Sequence, residues 1–153
     1  MNAAYIRPVV MAVQNVFETM IKLPVVAGKQ SLKKEKRPAT DVISMITLSG
    51  PVSGFICLGL SSKLAFHLAS QLLECEISEA SCDCIDAIGE ITNMIAGNAK
   101  SEFPDDGIAI SVLTVIFSPV KKPYPNSAPV ISIPFETQGE AFLVDMGILW
   151  KSK

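Results

Sequence analysis

Histidine, tryptophan and charge are all scarce in this 153-residue sequence, which has one His, one Trp and 18% charged residues. The single histidine, His67, has no companion motif, so the sequence gives little support for a catalytic base of that type. The formal net charge of −2 gives no general reason to expect a nucleic acid or an anionic membrane as a partner. We therefore expect neither.

Long apolar runs are missing as well. No uninterrupted run approaches the ~20 residues that a helix needs to cross a bilayer. Arg7 and Pro8 interrupt the first apolar residues, where a signal peptide would need continuity. The sequence thus predicts neither a membrane span nor a secretion signal.

The four cysteines, Cys57, Cys75, Cys82 and Cys84, do not have the spacing of a secreted disulfide framework. We predict that they are reduced thiols in a cytoplasm. On a helix, Cys82 and Cys84 would point apart, and no second pair completes a set of four ligands. We therefore expect no metal site in this chain.

Hydrophobic residues make up 49% of the sequence, enough for one compact domain spanning residues 1–153. Apolar periodicity and turn signals predict an order of helices and strands. Helices are expected at 3–23, 63–74 and from 79 or 81 to 103, a hairpin at 41–48 and 52–60, and strands at 108–117, 130–135 and 139–150. This order predicts a mixed α+β fold of antiparallel hairpins packed with helices. The strand at 139–150 could be an unpaired edge that a second copy of the chain would cover.

The helix predicted from 79 or 81 to 103 separates two kinds of residue onto opposite sides. Asp86, Glu90, Asn93 and Gly97 follow one another at helical spacing and form one stripe, hereafter the polar stripe. The opposite side is predicted to be apolar and to face the core; it contains Ile85, Ile88, Ile95 and Ala99.

The polar stripe has a specific chemical use. A carboxylate attracts an ammonium group, and a carboxamide both donates and accepts hydrogen bonds, so it can hold a water molecule without taking its proton. These properties suit displacement at a phosphoryl group, where positioning supplies most of the acceleration. Glu90 and Asn93 could equally be solvated surface residues. Gly97 costs roughly 1 kcal/mol inside a helix, so a close partner surface or a close helix crossing should justify it.

The segment GEITNMIAGNAKSEF resembles the signature of the CheC/CheX/FliY chemotaxis phosphatases, in which an acidic or serine residue precedes E-x-x-N on a helix. Asp86, Glu90 and Asn93 match these three positions, and residues 96–99 match the small-residue segment that follows them. NVFETM, SLKKEKRP and ITLSGPVSGFICLGLS also resemble CheX sequences, in the same order. The resemblance therefore covers most of the chain.

This resemblance implies a phosphatase acting on phosphorylated CheY-type response regulators. Asn93 would orient the attacking water, Glu90 would pair with the regulator's lysine, and Asp86, Gly97 and Lys100 would belong to the partner-binding surface. The aspartyl phosphate and its Mg²⁺ would belong to the regulator, so no cofactor is expected in this chain. The family also implies a pseudo-symmetric fold and a homodimer formed through the sheet.

Two further features bear on this interpretation. Residues 16–21 superpose on residues 90–95, with Val16 and Thr19 where Glu90 and Asn93 stand. Two amphipathic helices can match by chance, but the pseudo-symmetric fold that the resemblance implies favours an internal duplication. The family has a proline downstream of the asparagine, and Leu113 occupies the corresponding position here; Pro119 lies further on. The main alternative is therefore a non-catalytic module that binds a response regulator. A small-molecule binding domain is a weaker alternative, because no phosphate-cradling glycine loop supports it.

Overall fold

A computed structural model of the chain describes residues 3–35, 39–118, 123–125 and 128–151. Pro119, which was noted from the sequence as lying beyond Leu113, is outside these residues. The helices are α1 (Ala3–Val16, continuing as a π-helical turn at Phe17–Ile21), α2 (Ser62–Leu73) and α3 (Cys82–Ser101). The strands are β1 (Val26–Ala27), β2 (Ser31–Leu32), β3 (Val42–Ser49), β4 (Val52–Leu60), β5 (Ala109–Ile116), β6 (Ile131–Thr137) and β7 (Glu140–Trp150). The mixed α+β prediction is confirmed.

All the strands join one antiparallel sheet in the order β1-β6-β7-β4-β3-β5, with β2 also pairing with β6. The predicted hairpin is present as β3 and β4, and Gly50 in its turn has φ +104°, a conformation that suits glycine. The suggestion that residues 139–150 form an unpaired edge is wrong, because β7 lies between β4 and β6. Periodicity reports which face of a strand is buried but not which strands flank it.

The main core lies between one face of the sheet and the three helices of the described part of the chain. Alternate residues of β3 point into it: Val42, Ser44, Ile46 and Leu48 are all buried, as their period-two pattern predicts. Within the described residues, no helix is both long and apolar enough to span a bilayer. The helices thus cover one face of the sheet and not the other.

On the opposite face a second, smaller core forms around Phe55 of β4. The Tyr124 ring stacks on Phe55 with centroids 4.3 Å apart, and its hydroxyl donates to Asp145 Oδ2 at 2.5 Å. Lys33 Nζ lies 3.0 Å from the same oxygen.

The sequence predicts that residues 29–40 form a solvated loop or edge strand, or a docking patch. In the structure Lys33, within this segment, is mostly buried against Asp145. Lys36, Arg37 and Pro38 lie outside the described residues.

We expect this second core to make the protein sensitive to alkali. Burial raises the pKa of the Cys57 thiol from 9.0 to about 12 and also raises the pKa of the Tyr124 hydroxyl. Above pH 9 the unfolded chain therefore holds fewer protons than the folded chain, and the free energy of unfolding falls as pH rises. The slope should reach about 1.4 kcal/mol per pH unit for each titrating group.

Urea unfolding between pH 7 and 11 measures this slope. Cys57→Ala should make the decline shallower than in the wild-type protein, whereas Cys75→Ala, at an exposed cysteine, should leave it unchanged. A free energy of unfolding that stays level from pH 8 to pH 11 would contradict the prediction.

The residues that an internal duplication would pair are buried alike at one position and differently at the other. Val16 is buried, whereas Glu90 at the matching position is exposed. Thr19 and Asn93 are both exposed, and the Thr19 hydroxyl donates to Asn15 O at 2.8 Å. The duplication therefore stays a prediction.

Candidate functional site

Local sequence defines where α3 begins and ends. The hydroxyl of Ser81 accepts a hydrogen bond from the Cys84 backbone N–H at 3.2 Å, which caps the first turn. Asp83 in the first turn and Lys100 in the last turn have the charges that the helix dipole favours at each end. Pro104 follows the helix and prevents it from continuing. The polar stripe therefore lies on a helix with a defined beginning and end.

The buried side of α3 fixes the helix to the sheet. Its buried residues are Cys84, Ala87, Ile88, Gly89, Ile91, Thr92, Ile95, Ala96 and Ala99. The hydroxyls of Thr92 on α3 and Ser44 on β3 lie 2.5 Å apart and are both fully buried, and Thr92 Oγ1 also donates to Ile88 O at 2.9 Å. Since Thr92 immediately precedes Asn93, this contact holds the turn that presents the Asn93 amide.

The polar stripe faces outward. Asp86, Glu90 and Asn93 are exposed and Gly97 is half-buried. Among the described residues, none makes a hydrogen bond or an ion pair with the side chain of Asp86, Glu90 or Asn93. Two carboxylates and one carboxamide are therefore available, within about two helical turns, for groups supplied by another molecule.

Packing against the described residues does not explain the glycine at position 97. A Cβ placed on Gly97 would meet no described atom within 4 Å, so the close helix crossing considered from the sequence does not exist there. Gly89 differs, because a Cβ on it would lie 3.1 Å from Leu113 Cδ2 of β5. Gly89 thus permits α3 to approach β5, whereas Gly97 leaves its turn of the exposed face of α3 without a protruding side chain.

A hollow of about 400 Å³ lies between the polar stripe and β5. It is lined by Ile85, Asp86, Gly89, Glu90, Asn93, Leu113 and Val115. The prediction that Ile85 faces the core is wrong, because its side chain is 37% exposed. Ile85 lies at the margin of the apolar side of α3 and lines the hollow beside Leu113 and Val115 of the edge strand β5.

Comparison with known proteins identifies the family. The family described as "Chemotaxis phosphatase CheX" matches residues 42–136, a segment that includes β3 to β5, the whole of α3 and all but the last residue of β6. This chain belongs to the CheX family. No curated protein matches the sequence significantly.

Solved structures of CheX and CheC-like proteins share the fold. A CheX from Desulfovibrio desulfuricans is 28% identical, with a TM-score of 0.86 over 95% of this chain and 99% of that chain. A CheC-like superfamily protein from Shewanella sp. PV-4 is 24% identical, with a TM-score of 0.86 over 97% and 99%. CheX in a CheX–CheY–BeF3–Mg²⁺ complex from Borrelia burgdorferi is 24% identical, with a TM-score of 0.81 over 94% and 97%.

The matched segment also contains Leu113, the residue that the resemblance noted from the sequence would place at the family's proline position. Leu113 lies on the edge strand β5, which pairs with β3. Its side chain is 37% exposed and forms part of the hollow that Glu90 and Asn93 also line. Leu113 therefore belongs to the candidate site.

Two further residues considered from the sequence, Lys100 and His67, do not line the hollow. Lys100 is exposed on the last turn of α3, three residues beyond Gly97. His67 on α2 is not part of the hollow, and its Nε2 lies 2.9 Å from Gln138 Oε1. Among the described residues, no three His, Cys, Asp or Glu side chains come together as metal ligands.

Sequence reasoning missed the contribution of Ser44 and misplaced Ile85. A serine among apolar neighbours on the buried face of β3 was a signal for Ser44, because a buried hydroxyl needs a partner. Ile85 had a weaker signal: it lies next to Asp86, at the boundary between the two sides of the helix.

Proposed function

We propose that this chain hydrolyses the aspartyl phosphate of a CheY-type response regulator in bacterial chemotaxis. The observation that carries the proposal is the exposed pair Glu90 and Asn93, which have no internal partner among the described residues and lie on a helix fixed to the sheet. Membership of the CheX family supports the phosphatase activity, and the Borrelia burgdorferi complex of CheX with CheY supports the choice of partner. The cytoplasmic location and the homodimer belong to the same proposal.

Asn93 has the chemistry to position water. Its amide oxygen accepts a hydrogen bond from the attacking water, and its amide N–H₂ can donate to a phosphoryl oxygen. The water oxygen forms a bond to phosphorus while the bond from phosphorus to the aspartyl oxygen breaks, which releases inorganic phosphate and the free carboxylate of the regulator. Transfer of this kind is loose and depends mainly on positioning and on charge stabilisation. The regulator supplies the Mg²⁺ for charge stabilisation, and this chain supplies the position of the water.

Glu90 has the chemistry to hold the regulator. Its carboxylate is exposed one helical turn before Asn93 and would pair with a lysine beside the phosphorylated aspartate. Asp86, on the preceding turn, adds negative charge at the edge of the contact. Gly97 lets the partner approach the next turn closely, and Lys100 would contact it beyond.

We expect Glu90→Gln to weaken docking rather than chemistry. The KM for the phosphorylated regulator should rise about tenfold with kcat within a few-fold of wild type, because a charge pair at an interface contributes roughly 1–2 kcal/mol. Raising the ionic strength should increase the KM of the wild-type protein more than that of the variant, since salt screens the charge pair. Equal salt dependence in the two proteins would show that Glu90 does not pair with a cation.

The test of the function is the loss of acyl phosphate from a Mg²⁺-loaded, phosphorylated CheY-type regulator of the same cell. The wild-type protein should accelerate this loss well above the regulator's own rate. If it binds regulators without accelerating the loss from any of them, the non-catalytic binding module becomes the better account. Leu113 at the family's proline position is the observation that favours this second candidate.

A further inference from the structure

The hollow beside Glu90 and Asn93 has an apolar half that the proposed chemistry does not use. Ile85 of α3 and Leu113 of β5 are each 37% exposed, and the half-buried Val115 lies with them. Scattered exposed apolar residues are ordinary on protein surfaces. These three are instead grouped in one concave hollow that also contains the carboxylate and the carboxamide of the proposed site.

The apolar half is formed before any partner binds. Leu113 lies against the backbone of α3 at Gly89, where an added Cβ would stand 3.1 Å from Leu113 Cδ2. The helix and the strand on either side are fixed to the same sheet through β3. A partner would therefore meet a preformed surface and would not have to order it, which reduces the entropic cost of binding.

We infer that this apolar half binds a nonpolar side chain on the surface of the phosphorylated regulator, beside its phosphorylation site. The inference rests on the proposed function. Asn93, Ile85 and Leu113 line the same hollow, so a protein surface that brings a phosphoryl group to Asn93 is well placed to cover the two apolar side chains as well. Protein interfaces have nonpolar centres surrounded by polar groups, and a few central residues provide most of the affinity. Ile85 and Leu113 thus become contacts for the regulator.

A small molecule is a poorer occupant than a protein side chain. Ligand sites bury 70–90% of a small ligand. This hollow, in contrast, is open to solvent along a rim formed by the exposed side chains of Asp86, Glu90 and Asn93. A protein surface can close such a rim, whereas a small molecule would remain largely in water.

Two serine variants test the inference. Ile85→Ser and Leu113→Ser should each raise the KM for the phosphorylated regulator about five- to tenfold and leave kcat within twofold of wild type. The dissociation constant of the beryllofluoride form of the regulator, measured by titration calorimetry, should rise by the same factor. Ile85→Leu, which retains the apolar surface, should restore the wild-type values.

Leu73→Ser is the matched control, because Leu73 is 41% exposed at the end of α2 and does not line the hollow. It should leave KM and the dissociation constant unchanged. Thermal unfolding of each variant checks that the fold is kept; if Leu113→Ser is unstable, Ile85→Ser decides. The inference is overturned if both variants in the hollow bind as tightly as wild type, or if Leu73→Ser weakens binding equally.

The same measurements separate this inference from the proposed function. A wild-type protein that binds the regulator without accelerating phosphate loss would contradict the phosphatase activity. The calorimetric arm would still show whether Ile85 and Leu113 contact the regulator. A wild-type protein that accelerates phosphate loss, with no change of KM in either variant, would contradict the inference alone. Absence of any binding to regulators would overturn both.

Discussion

Replacing Asn93 by alanine is expected to reduce the acceleration of regulator dephosphorylation by about 100-fold or more, towards the regulator's own rate. The amide is the group proposed to hold the attacking water, and of the described residues that line the hollow only Asn93 has a carboxamide side chain. Binding should persist, because Glu90 and the apolar half of the hollow are retained. Single-turnover loss of acyl phosphate gives the rate, and calorimetry with the beryllofluoride form gives the affinity.

Asn98→Ala is the matched control for Asn93→Ala. Asn98 is also an exposed asparagine of α3, but its amide donates to Met94 O at 2.7 Å, and its Oδ1 accepts from Asn15 of α1 at 3.2 Å. Its loss should lower the free energy of unfolding slightly and leave turnover near that of wild type. An Asn93→Ala protein that still accelerates phosphate loss fully would exclude a water-positioning role for Asn93.

A larger side chain at Gly97 should raise the free energy of unfolding and weaken binding of the regulator. Because a Cβ there meets no described atom within 4 Å, Gly97→Leu should fold normally and gain up to about 1 kcal/mol in free energy of unfolding from helix propensity. The same side chain would stand where the partner surface is proposed to approach α3. The KM for the phosphorylated regulator should therefore rise at least tenfold.

The series Gly97, Gly97→Ala and Gly97→Leu gives the size dependence of this effect. Urea unfolding and dephosphorylation kinetics on the three proteins should show stability rising while KM increases with side-chain size. The opposite trend in both quantities would mean that Gly97 serves the fold. A Leu variant with wild-type KM would mean that no partner approaches this turn.

Local sequence was sufficient for α3 and for the hairpin. The Ser81 cap and the proline at 104 lie within a few residues of the ends of α3, and Gly50 lies in the turn between β3 and β4. Signals of this kind depend on neighbouring residues only, so the sequence displays them directly. The polar stripe was predictable for the same reason, because a helix fixes the relative direction of residues three or four apart.

Features that join distant parts of the chain were not predictable. Lys33 and Asp145 are more than 100 residues apart in sequence, and their contact depends on the order of strands in the sheet. The interior position of β7 depends on that order too. Ile85 was misassigned because the exposure of a residue at the boundary of a helix face is decided by the neighbouring strand, here the edge strand β5.

The central position of β7 has a consequence for synthesis of the chain on the ribosome. β4 pairs with β3 early, but its other edge has no native partner until residues 140–150 have been translated. During that interval an apolar strand edge stays open to pairing with other nascent chains. Completion of the sheet therefore has to wait for synthesis of β7, and slow translation of the segment between β4 and β7 should lengthen the interval in which chaperones are needed.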